Sequence, residues 1–170
     1  MELPLLFSKQ FKDNVERILH VPGNATGNIL EMTVVVDGCL SRDEVQNLLP
    51  KLLRTLKMHS RIFQNVRFNF VLWKSDEQIN NQVCPMTMAM MDSFYQEYQQ
   101  TAVEKRLESL AAYLKKFHAR SKVIIVLTCG GYVIGDEEEL HRQMQPFLEK
   151  KWMFVARREE EWRVEYRQIG

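Results

Sequence analysis

The sequence predicts an α/β protein: a three-layer, doubly wound, Rossmann-like fold with a mostly parallel sheet and helices on both faces. Three observations carry that expectation. Apolar, β-branched runs with little alternation recur at ILEMTVVVD (29–37), KVIIVLT (122–128) and WMFVA (152–156), the pattern of strands covered on both sides. The segments between them repeat their apolar residues at helical spacing. Strand and helix patterns also alternate through most of the chain, which is how a parallel sheet with crossover helices is written in sequence.

Taken in order, SKQFKDNVERIL (8–19) spaces Phe11, Val15, Ile18 and Leu19 as one helix face behind a Ser8 N-cap. VPGNATGN (21–28) is a loop by its Pro, Gly and Asn content. After the first strand, residues 42–57 carry Val45, Leu48, Leu49, Leu52, Leu53 and Leu56, a 3.6-residue stripe with Pro50 inside it and a kink expected there. VRFNFVLW (66–73) alternates as a strand, SDEQINN reads as a turn, and VCPMTMA (83–89) as an edge strand because of Pro85. Helices are predicted over 90–99 and 101–117, the latter with Val103, Leu107, Leu110, Ala111 and Leu114 on one face. CGGYVIG (129–135) is the loop behind the second apolar strand, and DEEELHRQMQPFLEK (136–150) opens with acids suited to a helix N-terminus. WRVEYRQ (162–168) alternates strictly, the mark of an edge strand after the charged turn that begins at 157. The strands near 30–37, 66–73, 122–128 and 152–156 are expected to run parallel.

A chain of 170 residues suits one domain, read here as 1–170 with the helix and loop of 1–28 at its start. Its 45% hydrophobic and 26% charged residues belong to ordinary globular proteins. A formal net charge of +1 supplies no field for nucleic acid or anionic lipid. No stretch approaches the length of a membrane span, and the N-terminus has the wrong order of charge and apolar run for a secretory signal. Three widely spaced cysteines do not make a disulfide framework. These features predict a cytoplasmic protein with reduced thiols.

Three pieces lie in an informative order. One buried strand ends in Asp37-Gly38-Cys39-Leu40-Ser41, a helix pattern opens at Thr101, and a second buried strand ends in Thr128-Cys129-Gly130 before a loop and an acidic helix. From about residue 29 to 156 this resembles the von Willebrand factor A-type domain, a doubly wound fold whose strand tips carry a metal-ion-dependent adhesion site. That family reads Asp-x-Ser-x-Ser at the first tip, a Thr from a later loop, and Thr-Asp-Gly at the fourth strand. Asp37, Ser41 and Thr101 fall on matching positions. Cys39 replaces the first serine and Cys129 the second aspartate.

The resemblance implies a recognition module with a degenerate metal site, whose partner is another protein. Asp37, Gly38, Cys39, Ser41, Thr101, Cys129, Gly130 and Gly131 would form its face. Mg²⁺ requires hard oxygen donors in near-octahedral geometry, and neutral thiols supply neither charge nor a suitable donor. No cofactor is therefore expected, and Asp37, Ser41 and Thr101 would be vestigial positions. A softer ion such as Zn²⁺, held by both thiolates and Asp37, is the alternative.

Local chemistry offers simpler roles for the same residues. Ser41 with Glu44 and Thr101 with Glu104 each have capping-box spacing. Asp37 either accepts backbone N–H groups in its turn or faces a ligand at the carboxyl end of the sheet. Cys39 and Cys129 read first as small buried fillers, with a soft-metal site or a redox-sensitive pair as alternatives. A cysteine nucleophile would need a base, and only His141 could approach Cys129; no enzyme is expected. The methionines at 86, 88, 90 and 91 suit gap filling or an adaptable partner surface. GNATG (23–27) lacks the lysine of a phosphate-binding loop.

Overall fold

The computed structural model describes residues 29–59, 65–83, 87–101, 103–121, 123–145, 151–158 and 161–167. The helix and loop predicted before residue 29, the segment around Cys84 and Pro85, and Met86 lie outside these residues. The described elements are β1 (Ile29–Asp37), α1 (Arg42–His59), β2 (Asn65–Trp73), β3 (Ile79–Gln82), α2 (Met88–Glu97), α3 (Leu107–Phe117), β4 (Val123–Thr128), α4 (Glu137–Met144), β5 (Lys151–Arg158) and β6 (Glu161–Arg167).

The strands form one sheet in the order β3-β2-β1-β4-β5-β6. β2, β1, β4 and β5 pair in parallel, whereas the edges β3 and β6 run antiparallel to their neighbours. The mostly parallel α/β sheet is thus present and compatible with a Rossmann-like fold. In register, Asp37 stands opposite Trp73, and Val36 opposite Leu72 and Leu127.

Alternate residues of each central strand enter two separate cores. Met32, Val34 and Val36 pack with Phe70, Ile125 and the α1 stripe of Val45, Leu48, Leu49, Leu52, Leu53 and Leu56. Val35, Val71, Ile124 and Val126 pack instead with Leu107, Leu110 and Leu114 of α3 and Leu140 and Met144 of α4. Burying a side chain of this size stabilises by about 1.5–3 kcal/mol relative to leaving it in water. These interlocking rows therefore hold the strand ends in fixed positions. α1 is helical through Pro50.

Two predicted elements are displaced. The edge strand lies at Ile79–Gln82, overlapping the stretch read as a turn, and of the segment read as an edge strand Met88 and Ala89 belong to a helix. Lys74 and Ser75 donate backbone N–H to the Gln78 carbonyl, and the Ser75 hydroxyl accepts from Gln78 N–H. That tight reversal lets INNQ return along β2 on backbone pairing, with Ile79 packed against the second core. α2 then begins at Met88, capped by Thr87, and Met91 packs against the first core.

The second displacement concerns α3, which starts at Leu107 and not at Thr101. Its approach is extended, because Leu107 donates to the Val133 carbonyl at 2.9 Å and Val133 donates to the Lys105 carbonyl at 2.8 Å. Arg106, bridged to Val133, is held at φ −106 and ψ 134 and cannot join the helix. α4 opens on Asp136, whose carboxylate accepts from Glu138 and Glu139 N–H.

Candidate functional site

The carboxyl ends of β1, β2 and β4 converge, and the polar groups there are arranged around Asp37. Its side chain is fully buried, and both of its oxygens are engaged. Oδ1 accepts from Cys39 N–H at 3.0 Å and lies 2.7 Å from Lys105 Nζ. Oδ2 accepts from the Thr128 hydroxyl at 2.7 Å. Lys105 is itself only 2% exposed, and its ammonium lies 5.7 Å from the centre of the Trp73 ring. A buried ion pair is stable only when each charge is matched and hydrogen-bonded. Here the turn N–H, the hydroxyl and the ammonium meet that condition for the carboxylate.

The turn after β1 is shaped by close backbone approaches. Gly38 donates to the Trp73 carbonyl at 2.8 Å and accepts from Thr101 N–H at 2.7 Å. A Cβ at Gly38 would stand 2.4 Å from Thr101 Oγ1, so a side chain there would drive the 98–106 loop away. That loop is fastened at two more points. Gln100 Nε2 donates to the Cys39 carbonyl at 2.8 Å, and Tyr98 OH donates to the Leu40 carbonyl at 2.6 Å. Burial, followed by the nearby charges of Asp37 and Glu44, pushes the Tyr98 phenol far above its usual range, so it remains a donor.

Cys39 and Cys129 are joined as a disulfide with a Cα separation of 6.1 Å, bridging the tips of β1 and β4. This corrects the expectation of reduced thiols acting as separate fillers. Adjacent parallel strands hold two residues 90 positions apart within bonding reach, a proximity that residue spacing alone does not reveal. Cys129 N–H also donates to Cys39 Sγ at 3.2 Å. Gly130 follows with φ 81, a left-handed conformation suited to glycine, and donates to Thr128 Oγ1 at 3.0 Å. Gly131 is exposed beside the disulfide.

The two predicted caps part company. Ser41 and Glu44 form a full capping box at the start of α1: Glu44 N–H donates to Ser41 Oγ at 3.2 Å, and Ser41 N–H donates to Glu44 Oε1 at 3.0 Å. Glu44 also meets Arg157 of β5 at 2.6 Å. Thr101 caps no helix, and its hydroxyl lies 3.5 Å from the Lys74 carbonyl.

The structure therefore gathers Asp37, Gly38, Cys39, Thr101, Cys129 and Gly130 at one end of the sheet, while the Ser41 hydroxyl serves its own helix. His141 is exposed on α4. The central residue missed by sequence reading is Lys105. Placed on a helix from 101 to 117, it reads as one more solvated lysine, and only the extended 103–106 segment turns it onto Asp37.

No helix among the described residues is long and apolar enough to cross a membrane. No protein-family model matches the chain, and no curated protein matches it.

Proposed function

We propose that this chain is a non-catalytic protein-interaction module of von Willebrand factor A-like fold whose strand-tip site works without Mg²⁺. The reading includes a single domain of three layers, with α1 and α2 covering one face of the sheet and α3 and α4 the other. The two alternating cores support that layering.

The observation that carries the functional reading is the Lys105 ammonium on Asp37 Oδ1 at 2.7 Å, with both side chains buried. A hard dication would need that carboxylate and further oxygen donors. The chain's own cation neutralises the carboxylate, the Ser41 hydroxyl accepts from its helix, and sulfur stands at 39 and 129. This residue set does not fit Mg²⁺. What is left at the tip is a rigid rim made by Cys39, Ser41, Thr101 and Cys129 to Gly131. Beside it, Val103 and Val133 are 52% and 39% exposed, and apolar side chains ringed by polar groups suit contact with another protein. A cytoplasmic setting belongs to the same reading, with the Cys39–Cys129 bond then a responsive link rather than a permanent one.

The test is affinity capture with the full chain, followed by titration of the purified captured protein. Binding is expected to be equal in EDTA and in MgCl₂. It should be lost in Val103→Asp and Val133→Asp and kept in Asn80→Asp at the β3 edge. Binding abolished by EDTA, or indifferent to both rim substitutions, overturns the proposal. So does Mg²⁺ titration heat that disappears in Asp37→Ala.

A further inference from the structure

We infer that the strand-tip disulfide conceals a thiolate site for Zn²⁺, formed by Cys39 Sγ, Cys129 Sγ and an Asp37 carboxylate oxygen once the disulfide is reduced. The three ligand atoms lie within 4.8 Å of one another. Tetrahedral zinc with Zn–S near 2.3 Å needs its two sulfurs about 3.8 Å apart, a separation they can take up only after the disulfide between them is broken. Both cysteines are half-buried, so a fourth position faces solvent and can take water.

Charge supplies the second argument. In the disulfide state, Asp37 and Lys105 balance each other in a buried setting. Reduction alone adds no charge while both sulfurs remain protonated. Zinc brings two positive charges, matched by the two thiolates it creates, and the Asp37–Lys105 pair stays balanced as before. Both states are neutral, the condition for placing ions where water is scarce. A hard cation without thiolate affinity gains no such match, so the same cluster selects a soft ion.

The chemistry balances as follows. A dithiol donor supplies two electrons and two protons. The S–S bond breaks, each sulfur takes one proton, and the donor leaves as its own disulfide. Zn²⁺ then displaces both protons from the sulfurs, so binding releases about two protons per ion at neutral pH. Because Gln100 is bonded to the Cys39 carbonyl and Thr101 to the Gly38 carbonyl, the change at sulfur is felt directly by the loop that carries Lys105.

The full chain carrying Cys84→Ser, which removes the third cysteine, is reduced with a phosphine, freed of reductant under argon and titrated with Co²⁺ and then Zn²⁺. The reduced protein is expected to show thiolate-to-cobalt absorption that saturates at one ion per chain and is displaced by Zn²⁺. The oxidised protein should show none. Cys39→Ser or Cys129→Ser on this background should abolish the band with circular dichroism unchanged. The Asp37→Asn/Lys105→Met pair, which removes the carboxylate ligand while keeping the pocket neutral, should weaken zinc by at least about 10-fold, the least seen when even a group that only supports a ligand is removed. A reduced, folded Cys84→Ser chain without the band overturns the inference, as does a band that survives Cys129→Ser. Neither result bears on Mg²⁺-independent partner binding, which is tested separately.

Discussion

The two ends of the parallel strands bury polar groups in opposite ways. At the carboxyl end, Asp37 and Lys105 form a charged pair, and the chain is also bonded through Cys39 and Cys129. Toward the amino end the buried groups are mostly neutral. Asn69 Nδ2 donates to Glu31 Oε1 at 2.9 Å, to Thr33 Oγ1 at 3.3 Å and to Ser121 Oγ at 3.4 Å. Thr33 and Ser121 also share a hydrogen bond of 2.5 Å, and His118 Nε2 meets Asn81 Oδ1 at 2.6 Å. Neutral donors and acceptors can lose one partner and keep others. A buried ion cannot, because removing its counterion leaves a full charge in a medium that solvates it poorly. One end should therefore fail abruptly and the other by degrees.

The sharpest way to break this contrast is to remove one charge at a time. Lys105→Met and Asp37→Asn should each cost about 3–5 kcal/mol in urea unfolding, the usual cost of orphaning a buried ion. The double variant should cost clearly less than the sum of the two, giving a coupling energy that reports the pair itself. Additive losses would show that Lys105 and Asp37 act independently, and the two ends would then not differ in kind.

A milder substitution probes the other end. Asn69→Ala removes the amide donor, yet Thr33 and Ser121 keep each other and Glu31 lies near solvent. The expected loss is about 1–2 kcal/mol, that of hydrogen bonds with remaining partners. A loss as large as that of Lys105→Met would mean that the amino-end network is as unforgiving as the ion pair.

The same contrast separates what could be read in the sequence from what could not. Local patterns were legible: the unalternating runs of β1, β4 and β5, the leucine stripe of α1, and the Ser41–Glu44 box, whose members lie three residues apart. β3 was missed because three of the four residues of INNQ are polar and its place is set by backbone pairing to β2. The Thr101–Glu104 spacing looked equally local, but backbone bonds linking 105 and 107 to Val133 keep the segment extended. Lys105 and the sulfur pair depend on which strands become neighbours. That information is spread over the whole chain, so residue types marked Asp37, Cys39 and Cys129 as notable without showing how they are joined.

The smallest expected effect concerns His118, just beyond the end of α3. Burial lowers its pKa, and the nearby Glu31 charge opposes the shift without cancelling it. Around it, Tyr113 packs at 6.0 Å between ring centres and Asn81 bonds its Nε2. With the folded pKa below the unfolded value, the unfolded chain binds the proton more readily. The neutral ring therefore contributes its full stability above the unfolded pKa, near 6.5, and that contribution is lost as pH falls through the folded value. Stability measured by urea at successive pH values should fall from neutral toward acid, and His118→Gln should flatten that part of the slope while keeping a polar group near Asn81. An unaltered slope in His118→Gln would assign the acid sensitivity to groups outside the His118–Asn81 contact.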